Sequence, residues 1–180
     1  MESDTDTKLV VFSVSKKPGS SQEKIKKTRE VTKTSTWIKQ ISKEDLFNTT
    51  AQLSLLNSVL NPDNKKQMFV YSQIKQKIYG YRHQDILKKK LNEESFVDLE
   101  FVIQLLLSSH LHCFYCREDV SLLYETVRDP KQWTLERVYN TKGHNKDNVE
   151  ICCLSCNIKR RTMYHEKYKF TKQITFQKET

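Results

Sequence analysis

The chain has 180 residues, about 21.4 kDa, and carries 31 lysines and arginines against 22 aspartates and glutamates, a formal net charge of +9 with histidine neutral. That length admits one domain with an appendage or two small ones, and 37% hydrophobic residues against 29% charged can bury one modest core. Its longest apolar stretches, such as 101–107, are interrupted by Gln104 and are too short to span a bilayer, while a pI near 9.2 favours anionic partners.

The chain opens Met1-Glu2-Ser3-Asp4-Thr5-Asp6, without the basic end and apolar centre of a secretory signal, so an intracellular, reducing compartment is expected. Residues 1–30 mix Ser, Thr and Lys around Pro18 and Gly19 with few apolar anchors, which reads as a disordered basic arm. From Glu44, apolar residues recur at helical spacing (Leu46, Phe47, Leu53, Leu56, Val59, Leu60), with Ser42 as N-cap, acids in the first turn, and a stop at Asn61-Pro62-Asp63. A second helical pattern runs through Met68, Tyr71, Ile74 and Ile78 and is expected to stop at Gly80, with a further pattern over 81–91. The most apolar helix is expected over Glu93–Leu111, opened by Asn92, Glu93 and Glu94. Residues 31–110 thus read as an α-helical domain, with no motif of a known DNA-reading helix.

Composition changes at residue 111. Two strand-like runs, 133–138 and 149–152, are followed by a basic helix pattern, a small β-β-α module to about residue 165 with a basic tail over 166–180. Within 157–172, Lys159, Arg160, Arg161, Lys167, Lys169 and Lys172 face Glu166 alone, which suits phosphates or a solvated basic helix.

Cys113-Phe-Tyr-Cys116 and Cys153-Leu-Ser-Cys156 form two Cys-x-x-Cys pairs separated by 36 residues. In a reducing compartment such pairs point to a metal before disulfides, and two knuckles supply the four thiolates of a closed tetrahedral Zn²⁺ site with bonds of about 2.3 Å. A closed site has no open position for chemistry, so this zinc would hold the fold. Cys152 could replace Cys153 only by breaking the two-residue spacing, and His110 or His112 could compete with a thiolate. Phe114, Tyr115 and Trp133 could stack on nucleotides, although packing around the metal is the favoured reading.

Between the pairs lies Trp133-Thr-Leu-Glu136-Arg137-Val-Tyr139-Asn140-Thr-Lys-Gly143-His144-Asn-Lys-Asp-Asn148-Val149, which runs into Cys153-Leu-Ser-Cys156-Asn157-Ile-Lys159-Arg160. Residues 111–162 resemble the zinc-anchored branch of the HNH, or ββα-metal, endonucleases, in wording similar to members carried by phages and large DNA viruses. The resemblance implies an acidic metal ligand at Glu136, a base-orienting asparagine at Asn148, a second metal ligand at Asn157, and basic positions facing DNA at Lys159 and Arg160, with Arg161 beside them. The family's general-base histidine position holds Arg137, whose guanidinium cannot take a proton from water near neutral pH but can clamp a phosphate. His144 is then the first candidate for the base and Tyr139 the second. Glu136 and Asn157 offer hard oxygen ligands suited to Mg²⁺ or Mn²⁺.

The expectation is therefore an α+β chain, a mainly helical N-terminal domain followed by a zinc-stapled ββα module, acting as a Mg²⁺- or Mn²⁺-dependent DNA endonuclease. Double-stranded DNA is the expected partner, with RNA open, no membrane, and homodimerisation through the helical domain open. A viral setting would place it in the nucleus or cytoplasm of an infected host cell. The competing reading is a catalytically degenerate zinc adaptor that binds nucleic acid or recruits protein, with Glu136 merely paired to a neighbouring cation.

Overall fold

The computed structural model describes residues 29, 31, 42, 48–59 and 68–174. Among them, five helices and one two-stranded antiparallel sheet follow as α1 (Thr49–Val59), α2 (Met68–Leu87), α3 (Leu99–Ser108), β1 (Trp133–Arg137), β2 (Val149–Cys153), α4 (Leu154–Arg160) and α5 (His165–Gln173), an α+β arrangement. No helix among them is long and apolar enough to cross a membrane. The basic arm over 1–30, Arg29 excepted, lies outside the described residues, as do the acids at 44 and 45 and the Asn61-Pro62-Asp63 stop.

Asn48 opens α1, its Oδ1 accepting the Thr50 and Ala51 N–H groups at 2.9 and 3.2 Å. The helix buries Leu56 and Gln52, and the Gln52 Oε1 accepts Leu122 N–H at 2.6 Å, joining α1 to the segment before β1. The helical stop expected at Gly80 is not there: α2 runs unbroken for 20 residues. A mid-helix glycine costs only about 1 kcal/mol against alanine. Burial of Val70, Ile74 and Asp85 and a hydrogen bond from Leu135 N to the Tyr81 hydroxyl at 3.0 Å hold the helix on both sides of it.

The third helix starts six residues later than Glu93. Asn92 closes a turn instead, accepting Glu94 and Ser95 N–H, and the chain then extends through Phe96 and Val97, whose N–H reaches the His144 carbonyl at 3.1 Å. Asp98 becomes the cap, accepting Phe101 N–H at 2.8 Å. The helix ends before His110 and Leu111, both at positive φ, so it also stops short of residue 111.

β1 pairs with β2 from Trp133↔Cys153 to Arg137↔Val149. Side chains on both faces of β1 are buried: α4 packs on both strands, and Lys77 and Tyr81 of α2 reach the β1 backbone. The basic stretch after Cys156 is two helices rather than one: Arg161 turns to φ 52°, and the Arg160 guanidinium bonds the Met163 carbonyl at 2.7 Å across the break. Buried side chains from α1, α2 and α3 (Leu56, Ile74, Val102, Leu106) join Leu111, Trp133, Leu135, Ile151 and Cys152 in one cluster, so the core runs across residue 110 without division.

Candidate functional site

The thiols of Cys113, Cys116, Cys153 and Cys156 lie within 4.8 Å of one another. Cys153 caps α4, its Sγ accepting Cys156 N–H at 3.3 Å, which turns both thiols of that pair to one side. The four soft donors fit a metal ion such as zinc. Cys152 is not among them, its Sγ resting 3.4 Å from Thr134 Oγ1. Nor are the histidines: His112 faces Asp119, with Nε2 to Oδ1 3.4 Å, and His110 is exposed. Tyr115 and Trp133 are almost fully buried and serve the core, while Phe114 is half-buried under the Lys169 ammonium, 4.2 Å from the ring centre.

Between the strands, Asn148 is fully buried and has every polar atom engaged. Its Nδ2 donates to the Tyr139 and Gly143 carbonyls at 3.0 and 2.9 Å, and its Oδ1 accepts Tyr139 N–H at 2.8 Å. It fastens the loop that carries His144 and does not touch the imidazole. That ring is held by Asp85 of α2: Oδ1 lies 2.9 Å from His144 Nδ1, and Oδ2 accepts His144 N–H at 2.6 Å. Gly143 permits this approach, since a Cβ there would stand 2.4 Å from the Lys90 carbonyl and 2.8 Å from Asp85 Oδ2. His144 is therefore no solvent-facing loop histidine but 4% exposed, and burial pushes its pKa down to about 4 against the upward pull of Asp85. Asp85 occupies Nδ1, so Nε2 is the nitrogen with no hydrogen bond among the described residues.

His144 lines a cleft of about 460 Å³ together with Glu136, Arg137 and Asn157. Four residues singled out in the sequence thus share one cavity. Thr134 sets the amide of Asn157. The threonine hydroxyl has one proton, given to the Cys152 carbonyl at 2.9 Å, so it accepts Asn157 Nδ2 at 3.2 Å and leaves the amide oxygen open. Glu136 is 5% exposed, and burial raises its pKa to about 7 although Arg160 pulls it down.

Arg160 overturns its sequence reading. It is 2% exposed and turned inward, its Nε donating to Glu136 Oε1, with further bonds to the Arg137 carbonyl at 2.6 Å and Asn140 Oδ1 at 3.1 Å. A guanidinium with this many partners supports the site from behind and has no face for DNA. Lys159 is exposed outside the cleft, whereas Arg161 lines it. Tyr139, the second candidate base, does not line the cleft and packs T-shaped against the His165 ring, centroids 5.5 Å apart.

Reasoning from sequence missed Asp85, buried behind His144, and the α2 residues that line the cleft, among them Lys77. Burial pushes the Lys77 ammonium down to about 7; it donates to the Trp133 carbonyl and lies 4.4 Å from the Trp133 ring centre. The available signal was the spacing Lys77, Tyr81, Gln84, Lys88, one stripe of a helix. Comparison with protein-family models, curated proteins and solved structures gives no match to this chain.

Proposed function

We propose that the protein is a metal-dependent endonuclease that hydrolyses DNA phosphodiesters at the cleft between α2, β1 and α4, in the manner of the HNH endonucleases its sequence resembles. The observation that carries this reading is the convergence of Glu136, Asn157 and a neutral, carboxylate-held His144 on one cavity lined by cations. Glu136 and the free amide oxygen of Asn157 are oxygen donors of the kind that hold Mg²⁺ or Mn²⁺, while the four cysteines hold Zn²⁺ for structure. The bound divalent ion would polarise the phosphodiester and stabilise charge on the departing oxygen.

His144 Nε2 takes a proton from a water molecule whose oxygen forms the new bond to phosphorus. The bond from phosphorus to the 3'-oxygen breaks, and that oxygen leaves as a hydroxyl after gaining a proton from solvent. Asp85 keeps the Nδ1 proton in place and so leaves Nε2 as the acceptor. Arg137 supplies the fixed positive charge that a pentavalent phosphate needs.

Incubating zinc-loaded protein with supercoiled DNA and Mg²⁺ or Mn²⁺ tests the proposal. Nicking is expected, slowed at least about a hundredfold by His144→Ala and abolished by Asn157→Ala. Wild-type protein that leaves the DNA supercoiled with either ion refutes it. A second reading, a zinc-stapled adaptor, draws on the buried Glu136–Arg160 pair, which already satisfies one carboxylate oxygen. On that reading DNA binds, nothing is cut, and Asn157→Ala changes neither result.

A further inference from the structure

The cleft has a second wall that lies outside the strand-and-helix segment resembling the nuclease family. Lys77, Tyr81 and Gln84 line it at the i, i+4 and i+7 positions of α2, and Lys88 lines it from the turn that follows the helix, its N–H bonded to the Gln84 carbonyl at 3.0 Å. The helical members share a single face, with Lys77 and Gln84 about 10.5 Å apart along the axis at 1.5 Å per residue. Two members are committed to the fold, Lys77 to the Trp133 carbonyl and the Tyr81 hydroxyl to Leu135 N–H. The side chains of Gln84 and Lys88 are exposed and have no hydrogen bond or ion pair among the described residues. They share the cavity with Asn157 and Arg161, which α4 and its C-terminal turn supply.

The charge of the cavity names the ligand class. Lys88, Arg137 and Arg161 line it, and the one acid among its described lining residues, Glu136, is already paired with Arg160. A chain of phosphodiesters running past Glu136 would therefore meet a net positive lining. We infer that Gln84, near the C-terminal end of α2, and Lys88, in the turn after it, form a DNA-backbone grip, in which Lys88 neutralises a phosphate next to the one being cut and Gln84 donates its amide to the same strand. This rests on the reading of the cleft as a DNA site and assigns the helical part of the chain a direct share in substrate binding. A lysine that neutralises one phosphate releases one condensed counterion, so it contributes about 0.9 to the slope of log affinity against log salt on duplex DNA.

The test is the affinity of zinc-loaded full-length protein for a fluorescein-labelled DNA duplex, measured by anisotropy in EDTA-free buffer without Mg²⁺ or Mn²⁺ over a range of NaCl concentrations. Lys88→Gln should lower the salt slope by about 1 and weaken binding, and Gln84→Ala should weaken binding with no change of slope. Lys75→Gln removes an exposed lysine of the same helix that does not line the cleft, and it should leave the slope as it is. An unchanged slope in Lys88→Gln, an equal loss in Lys75→Gln, or no binding by the wild type overturns the grip. Cleavage measured separately with Mn²⁺ keeps the two ideas apart. A Lys88-dependent slope without cleavage sinks the nuclease and keeps the grip, and cleavage with a Lys88-independent slope does the reverse.

Discussion

Glu136 and Asn157 occupy the same cleft, yet removing them should have unequal costs to the fold. Glu136→Ala strands the Arg160 guanidinium, 2% exposed, without its carboxylate, and loss of one partner of a buried pair typically costs about 3–5 kcal/mol. Asn157→Ala removes one 3.2 Å hydrogen bond to Thr134, worth about 1 kcal/mol. Urea unfolding of the two variants should show that ordering, which makes Asn157→Ala the cleaner probe of activity. His144 gives a second prediction. Its native pKa near 4 lies below the roughly 6.5 of an unfolded histidine, so the native state stays neutral while the unfolded one protonates. Its contribution to stability is whole above pH 6.5 and falls away towards pH 4. Glu136, with its pKa raised to about 7 from 4.5, works the other way, adding stability as pH drops from 7 to 4.5. Because the two oppose, overall stability is a poor readout, and the imidazole resonances of His144 by NMR are the better one. They should show a neutral ring at pH 6, and a titration centred at 6.5 or above would be at odds with the buried dyad. Of the cleft residues, Glu136 and Asn157 were legible through the resemblance to a known motif, and His144 through a residue type suited to proton transfer. Asp85 and the inward turn of Arg160 were not, since they depend on contacts 59 and 24 residues away in the chain.

At the level of elements, the two glycines near the site should respond oppositely to a methyl group. Gly80 lies mid-helix with nothing within 4 Å of an added Cβ, so Gly80→Ala should stabilise the protein by about 0.5–1 kcal/mol. A Cβ at Gly143 collides with backbone oxygen at 2.4 Å, so Gly143→Ala should push His144 off Asp85 and lower both melting temperature and cleavage. Thermal melts of the pair decide this, and equal shifts would undo the account of the α2 contact. The strands were readable to within a residue, since alternation and β-branched residues mark them locally. Helix ends were not. A glycine stop failed at residue 80 because tertiary burial outweighs a cost of about 1 kcal/mol, and an Asn-Glu-Glu start failed at 92–94 because Asn92 closed a turn while Asp98 capped the helix. The basic stretch after Cys156 read as one helix because nothing in its residue types foretells the Arg160 bond to Met163 across the break.

Across the whole molecule, one buried cluster links the helices to the cysteine-bearing segment, so the metal and the core should stabilise each other. Chelation of a metal ion held by the four cysteines, or Cys156→Ser, should lower the melting temperature of the entire chain in a single transition rather than release the C-terminal part alone. Two separate transitions would speak against that continuity. Composition drew a boundary at residue 110, and it did mark where the cysteine-rich chemistry begins. It gave no hint that α2 reaches β1 and the loop after it, because those contacts are made by a tyrosine hydroxyl, a lysine and an aspartate whose partners are distant in sequence. The most direct test of the site as a whole is a Mn²⁺ titration of zinc-loaded protein with a DNA oligonucleotide present, followed by electron paramagnetic resonance. The account predicts one bound Mn²⁺ per chain that Asn157→Ala eliminates while DNA binding persists. No bound Mn²⁺, or the same bound Mn²⁺ in Asn157→Ala, would contradict it.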